Sequence, residues 1–370
     1  MEVRPLWPRT YPSSWQGRAS AKRVMSERVR AAVRSMFVVP PRRLEWKGKI
    51  GDPPEYARTL GDHLVKVARG VANAWGPASA FCDTLFVDAD EEAGQARTAP
   101  ICQMVDRAGL AGTMLIPTTG PDRSSAARDA VRSVAALDHR GSCLRLPLAS
   151  VVRLVYSDAA EVHELLAELR LEPHEVDLIL DVGAITSDFR VQLAFLRGAL
   201  QHLPYAGSWR SVAVAGGSFL SSLAAYPRDE LTRLPRWEWA MYLALRGEIG
   251  QLGWVPDYAD YGVAHPDPPE ARDPKAMRTS ANLRYSYEGT WLIAKGRTVR
   301  EAGNTQARGL AQKIIDSGNW AGPTFSWGDV WLTECARGLD GPGNQTTWRT
   351  VGTSHHLAMV TAQLADRDGA

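Results

Sequence analysis

The chain has 370 residues, 45% of them hydrophobic and 23% charged, with a formal net charge of +2. That length exceeds one ordinary core, so it calls for two domains or one large barrel with insertions, and the composition excludes a disordered chain. No apolar run reaches membrane-span length, and the N-terminus, with Arg4 and prolines up to Pro12, lacks a signal-peptide core, which makes a cytoplasmic, membrane-free protein the expectation.

In chain order, Val3 to Trp7 opens as a short strand. Ala19 to Val33 has helical spacing in Val24, Met25, Val29 and Val33, and its basic residues Arg18, Lys22, Arg23, Arg28, Arg30 and Arg34 read as a solvated face in preference to a nucleic-acid surface. Met36 to Val39 is a strand stopped by Pro40 and Pro41, and a loop with Glu45 and Trp46 leads to the helix Tyr56 to Trp75. Leu60, Leu64, Val67 and Val71 form its apolar stripe.

A repeating unit follows. Strand Phe81 to Val87 ends in Asp88 and Asp90, and a helix lies around Pro100 to Ala108. Strand Thr113 to Ile116 ends in Thr118 and Thr119, and Asp122 caps a helix running to Leu137. Strand Ser142 to Leu146 carries Arg145, then come helix Ala159 to Leu169, strand Val176 to Asp181, and helix Ser187 to His202 capped by Ser187. Ser211 to Phe219 reads SVAVAGGSF, a buried strand entering a Gly-Gly-Ser turn. A helix with Trp237 and Trp239 and a short last strand, Gln251 to Val255, complete the series, and Pro266 to Thr279 reads as disordered.

Roughly eight strand-helix units with short turns demand parallel strands and right-handed crossovers. They close most naturally as a TIM-type (β/α)8 barrel over residues 1–281, with an open doubly wound parallel sheet as the alternative. Residues 282–370 break the rhythm. Leu283 to Lys295 alternates like a hairpin, Glu301 to Ser317 and Thr350 to Leu364 look helical, and Gly322 to Asp329 and Gly341 to Asn344 are loops. This part reads as an elaboration packed on the barrel and not as an independent domain. The cysteines, Cys82, Cys102, Cys143 and Cys335, form no CxxC pair and read as reduced core residues.

In a parallel barrel the C-terminal strand ends open on one face, where ligands bind. Asp88, Asp90, Thr118, Thr119, Arg145, Asp181, Gly216, Gly217, Ser218, Asp257, Asp260 and Tyr261 fall there on this reading. Gly216 to Ser218 can offer backbone N–H groups to an anion, or simply make a tight turn with Ser218 as a cap. Arg145 requires a carboxylate or an anionic ligand. Asp88, Asp90 and Asp181 suit acid, base or magnesium-holding roles, or else cap helices and pair with Arg145. His355 and His356 point about 100° apart on a helix and cannot readily chelate one ion. His355 is carried as a catalytic candidate. Trp327, Trp331 and Trp348 suit either a cover over the mouth or core packing.

Several segments resemble the phage beta protein family, also called beta family protein: VRAAVRSMFVVPP (Val29 to Pro41), LILDVG (Leu178 to Gly183), SVAVAGGSF, DYADYGVAHP (Asp257 to Pro266), FSWGDVW (Phe325 to Trp331) and GPGNQTTWRTVGTSHHL (Gly341 to Leu357). They run in the family's order over nearly the whole chain. The resemblance implies a TIM-type barrel and leaves the chemistry open. It departs at the N-terminus, where Gln16, Gly17 and Arg18 stand in about the place of an expected Gly-Glu pair.

Two functions fit. One is a protein that binds a phosphorylated or other anionic small molecule at the mouth, and as a hydrolase cleaves a phosphoester or nucleotide there with a divalent cation such as magnesium. The other is a non-catalytic binding or interaction protein in phage or host-defence biology. A closed pocket around Asp88, Asp181, Arg145 and the glycine turn favours the first; acids neutralised by internal pairs favour the second.

Overall fold

The computed structural model describes residues 7–10, 25–45, 54–90, 98–156, 159–248, 253–267 and 279–368. Strand Trp7–Thr10 (β1) comes first, then helix Glu27–Ala32 (α1), whose Ser26 cap accepts from the Val29 N–H at 3.3 Å. Met36–Val38 (β2) follows, and a short antiparallel pair, Leu44–Glu45 (β3) with Glu55–Tyr56 (β4), leads to Leu60–Trp75 (α2), which buries the expected stripe. The alternation then runs through Ala80–Asp83 (β5), Pro100–Leu110 (α3), Leu115–Thr119 (β6), Ser125–Asp138 (α4) and Ser142–Pro147 (β7). It continues with Leu148–Tyr156 (α5), Ala160–Leu169 (α6), Val176–Ala184 (β8), Arg190–Gln201 (α7) and Ser211–Gly217 (β9). Glu230–Pro235 (β10) leaves the pattern, and Trp237–Gly247 (α8) and Asp257–Asp260 (β11) resume it. The rest is a hairpin, Ser280–Tyr287 (β12) and Thr290–Thr298 (β13), followed by Val299–Ala302 (α9), Ala307–Ile315 (α10), Trp327–Arg337 (α11) and Gln345–Asp368 (α12).

Seven strands, in the order β2, β5, β6, β7, β8, β9, β11, pair in parallel as one curled sheet, which makes the chain an α/β protein. β8 and β9 are parallel neighbours, with Leu178 opposite Val212 and Asp181 opposite Ala215. β1 pairs in parallel with both outer strands, Trp7 opposite Ala259 and Arg9 opposite Met36. Both sheet faces are apolar because both are covered. Met36, Val38, Phe81, Ile116, Cys143, Ile179, Ala213, Ala215 and Ala259 cluster on the inner face, while Leu178, Leu180, Val212 and Val214 pack outward on helix residues such as Leu196.

β10, β13 and β12 form a separate antiparallel sheet. With α10, α11 and α12 it buries its own apolar cluster, including Leu283, Tyr285, Leu292, Leu310, Leu332 and Trp348. The other face of α12 joins the main core through Leu357, Val360 and Leu364, so this helix ties the two together.

The structure corrects several local expectations. The last parallel strand is Asp257–Asp260, not Gln251 to Val255, of which residues 251–252 lie outside the described set. Its flanking acids hid it, yet it is paired on both sides. β5 stops at Asp83, and the residues up to Asp88 form turns. Ser124, not Asp122, caps α4, accepting from the Ala127 N–H at 3.2 Å, and α7 begins at Arg190 without a side-chain cap from Ser187. Gly216 and Gly217 are strand residues opposite Asp260 and Ala184, not a turn. Within the supposed loop Gly322 to Asp329, Ser326 caps α11, which begins at Trp327. Of the basic N-terminal residues, Arg18, Lys22 and Arg23 lie outside the described residues, as do the centre of Pro266 to Thr279 and the site of Gln16 and Gly17.

Candidate functional site

Successive side chains of a strand point to opposite faces. Because Phe81, Ile116, Cys143, Ile179 and Ala259 face inward, the residues two further on, Asp83, Thr118, Arg145, Asp181 and Tyr261, share that face at the C-terminal strand ends. The inner face therefore changes from an apolar layer to a polar one within a single alternation.

Arg145 is the centre of this layer. Its Nε donates to Asp181 at 2.8 Å, one Nη to Asp83 at 2.9 Å, and the other lies 2.7 Å from Asp181 and 3.3 Å from the Tyr261 hydroxyl. Tyr261 in turn donates to the Asp181 carboxylate, 2.8 Å from each oxygen. Arg123, from the loop before α4, adds a second cation, 3.0 and 3.2 Å from the two Asp83 oxygens. Two buried carboxylates thus face two arginines. Burial alone would loosen the Arg145 proton, but Asp181, Tyr261 and Asp83 hold it more tightly than in an ordinary arginine.

Thr118 and Asp88 stand out in this region. Thr118 is 3% exposed and its hydroxyl has no hydrogen-bond partner among the described residues. Asp88, in the turn after β5, is pushed up to about 6, mainly by burial; a hydrogen bond with Thr84 opposes the shift and neighbouring Asp83 reinforces it. A carboxyl that exchanges its proton near neutrality is equipped for acid or base work. The Thr119 hydroxyl is also unpartnered among the described residues, but alternation turns it to the helix side.

Asp90, Gly216, Gly217 and Ser218 are otherwise engaged. Asp90 forms a bidentate pair with Arg42 at 2.7 and 2.6 Å, and the Arg42 guanidinium lies 3.5 Å from the Tyr56 ring centre. A Cβ on Gly216 would run into Ile185, and one on Gly217 would lie 3.1 Å from the Tyr261 ring, so both glycines serve close packing. Ser218 accepts from the Trp237 N–H at 3.1 Å and from the Trp291 indole at 3.3 Å, and donates to Glu238.

From Glu238 a buried polar chain continues. Arg236 donates to Glu238 at 3.0 Å and contacts the Tyr258 hydroxyl at 3.4 Å, and Tyr258 donates to Asp260 at 2.7 Å. Asp260 also takes the Gly262 N–H at 2.8 Å and pairs with His356 Nε2 at 2.7 Å. Burial works against the charged Asp260, yet His356 and Arg236 prevail and pull it down to about 2. His356, not His355, is the histidine that reaches a strand-end acid. His355 sits 2.9 Å from Asp329 and 2.6 Å from the Ser286 carbonyl, stacked 3.6 Å from the Tyr285 ring. Trp331 and Trp348 belong to the core of the smaller sheet.

The residues that sequence reasoning passed over are Asp83 and Arg123, and of the His355 and His356 pair it carried the other member as the catalytic candidate. The Phe81-x-Asp83 alternation held the signal for the first. Among the described residues no group of three or more His, Cys, Asp or Glu side chains is placed to hold a metal ion, and no helix is long and apolar enough to cross a membrane. The four cysteines are free, and burial pushes the Cys335 thiol up to about 11.

A curled parallel sheet with helices on its outer face and a polar layer at its C-terminal strand ends defines an α/β protein with buried polar side chains gathered at one end. Within that class, the family model described as Beta protein matches residues 13–362, and the chain belongs to that family. No curated protein matches it significantly.

Proposed function

We propose that the curled sheet closes as an eight-stranded TIM-type barrel, with β1 as its first strand, and that its C-terminal mouth binds a small polar molecule beside Asp83, Thr118, Arg145, Asp181 and Tyr261. The two-sided pairing of β1 supports the closure. The observation that carries the ligand reading is the Thr118 hydroxyl, buried in the layer without a partner among the described residues, since such a group costs stability unless something completes it. Asp88 supplies the group that gives or takes a proton. A phosphorylated ligand whose ester is cleaved with help from Asp88 is the enzymatic form of this reading.

A non-catalytic binding role is the second reading. It is favoured by the pairing of Asp83, Asp90 and Asp181 with arginines, which leaves those acids little freedom for chemistry.

The test is a calorimetric screen of nucleotides, sugar phosphates and their unphosphorylated counterparts against the natural chain and Thr118→Val. A ligand of the mouth loses a hydrogen bond of about 1 kcal/mol or more in the variant, so its affinity falls roughly five- to tenfold. Equal affinity for both proteins contradicts the reading. Loss of turnover in Asp88→Asn with binding retained separates the enzyme from the binding protein.

A further inference from the structure

The C-terminal part of the chain brings a second pair of cations to the same end of the sheet. Arg284, on β12, is half-buried; its Nε donates to Asn282 at 3.0 Å and one Nη donates to the Val263 carbonyl. Its guanidinium carbon lies 4.4 Å from the centre of the Phe219 ring. Phe219 follows the end of β9 and Val263 follows the end of β11, so the group sits over two neighbouring C-terminal strand ends. Val263 is two residues from Tyr261, at most about 7 Å along the chain.

Arg349 approaches from α12. Gly352, one turn later on the same helix face, comes so close to β12 that a Cβ there would lie 2.7 Å from the Arg284 carbonyl oxygen. Arg349 itself is exposed. Among the described residues neither arginine has a carboxylate partner. That sets them apart from Arg42, Arg123, Arg145 and Arg236, each of which meets an acid. Burial, with Arg349 adding to it, pulls the Arg284 guanidinium down to about 9. Two neighbouring cations that meet no acid among the described residues are an arrangement that an anion relieves.

We infer that Arg284 and Arg349 form an anion subsite that takes the phosphate group of a phosphorylated small molecule whose remainder reaches the polar layer. The inference rests on the reading of the mouth as a ligand site and names the ligand's class. With β1 counted first, β9 and β11 are the seventh and eighth strands in chain order, and the loops after those strands are where TIM-type barrels frequently hold phosphate. The charge comes from the elaboration, and Arg145, with its donors spent on Asp83, Asp181 and Tyr261, orients the layer below.

The experiment is titration of the full chain with inorganic phosphate at constant ionic strength, followed by calorimetry and by the arginine side-chain N–H signals in NMR spectra. Phosphate is expected to shift the Arg284 and Arg349 signals. Arg349→Gln, a change at an exposed position, should weaken binding at least tenfold with an unchanged melting temperature. Arg284→Lys, which keeps the charge but not the planar fork, should weaken it as well. The inference is overturned by absence of phosphate binding, by equal binding in both variants, or by shifts confined to Arg145 and the Gly216 to Ser218 amides. The Thr118→Val comparison with unphosphorylated compounds is independent of these arginines, so the mouth can survive the loss of the subsite.

Discussion

β8 carries two buried aspartates on one face, Asp177 near its start and Asp181 four residues later, and the sheet uses them differently. Asp177 is enclosed by Arg210 Nε at 2.8 Å, Arg34 at 3.0 Å and the Ser211 hydroxyl at 2.6 Å. Arg210 spends further donors on the carbonyls of Arg140 at 2.7 Å and Ser142 at 3.3 Å. Donors and acceptors are matched there. At the Asp181 end the same residue types meet, but a threonine hydroxyl is left over and a nearby carboxyl is held near neutrality. One end is a clamp. The other keeps groups that cost stability, which is what the ligand site proposed there requires.

The comparison is broken most severely at the clamp. Asp177→Ala leaves Arg210 facing no carboxylate and should cost about 3–5 kcal/mol in urea unfolding, with ligand affinity per folded molecule unchanged. A loss of affinity matching a mouth variant would erase the distinction between the ends.

Asp88 gives a smaller effect of opposite sign. Its folded-state pKa of about 6 exceeds the ordinary 3.8, so the folded chain binds the proton more tightly than the unfolded one. Stability contributed by that proton is full below about pH 4 and is lost as pH rises through about 6. Asp88→Asn should flatten the decline and raise stability at pH 7.5 by about 1–3 kcal/mol, measured as unfolding free energy against pH. Thr118→Val should be the mildest change, neutral or stabilising by up to about 1 kcal/mol, because it removes an unsatisfied hydroxyl without changing shape. Destabilisation beyond that would mean the hydroxyl has a structural partner.

Much of this layout was legible in the residues. The apolar runs Val176 to Asp181 and Val212 to Ala215 specified adjacent buried strands, and Arg145 at a strand end demanded an acid, which Asp181 provides. What escaped depends on tertiary context. Asp83 was hidden because Phe81 to Val87 read as one strand, although the chain turns after Asp83 to bring Asp88 back beside it. β10 is an exposed edge strand with little apolar patterning, and Asp257–Asp260 owes its strand form to partners on both sides. Choosing between His355 and His356 required the rotation of α12, which is fixed by packing one face on each of two cores. That Arg284 meets no acid among the described residues can be seen only when β12, α12 and the ends of β9 and β11 are together.

The site reading places a proton-exchanging carboxyl at the mouth, and carbon-13 NMR titration of the Asp88 carboxyl in the folded chain addresses that directly. A midpoint of about 6 is expected, moving when a mouth ligand identified in the screen is added. A midpoint at the ordinary 3.8, unmoved by that ligand, would contradict the assignment of this end of the sheet to function.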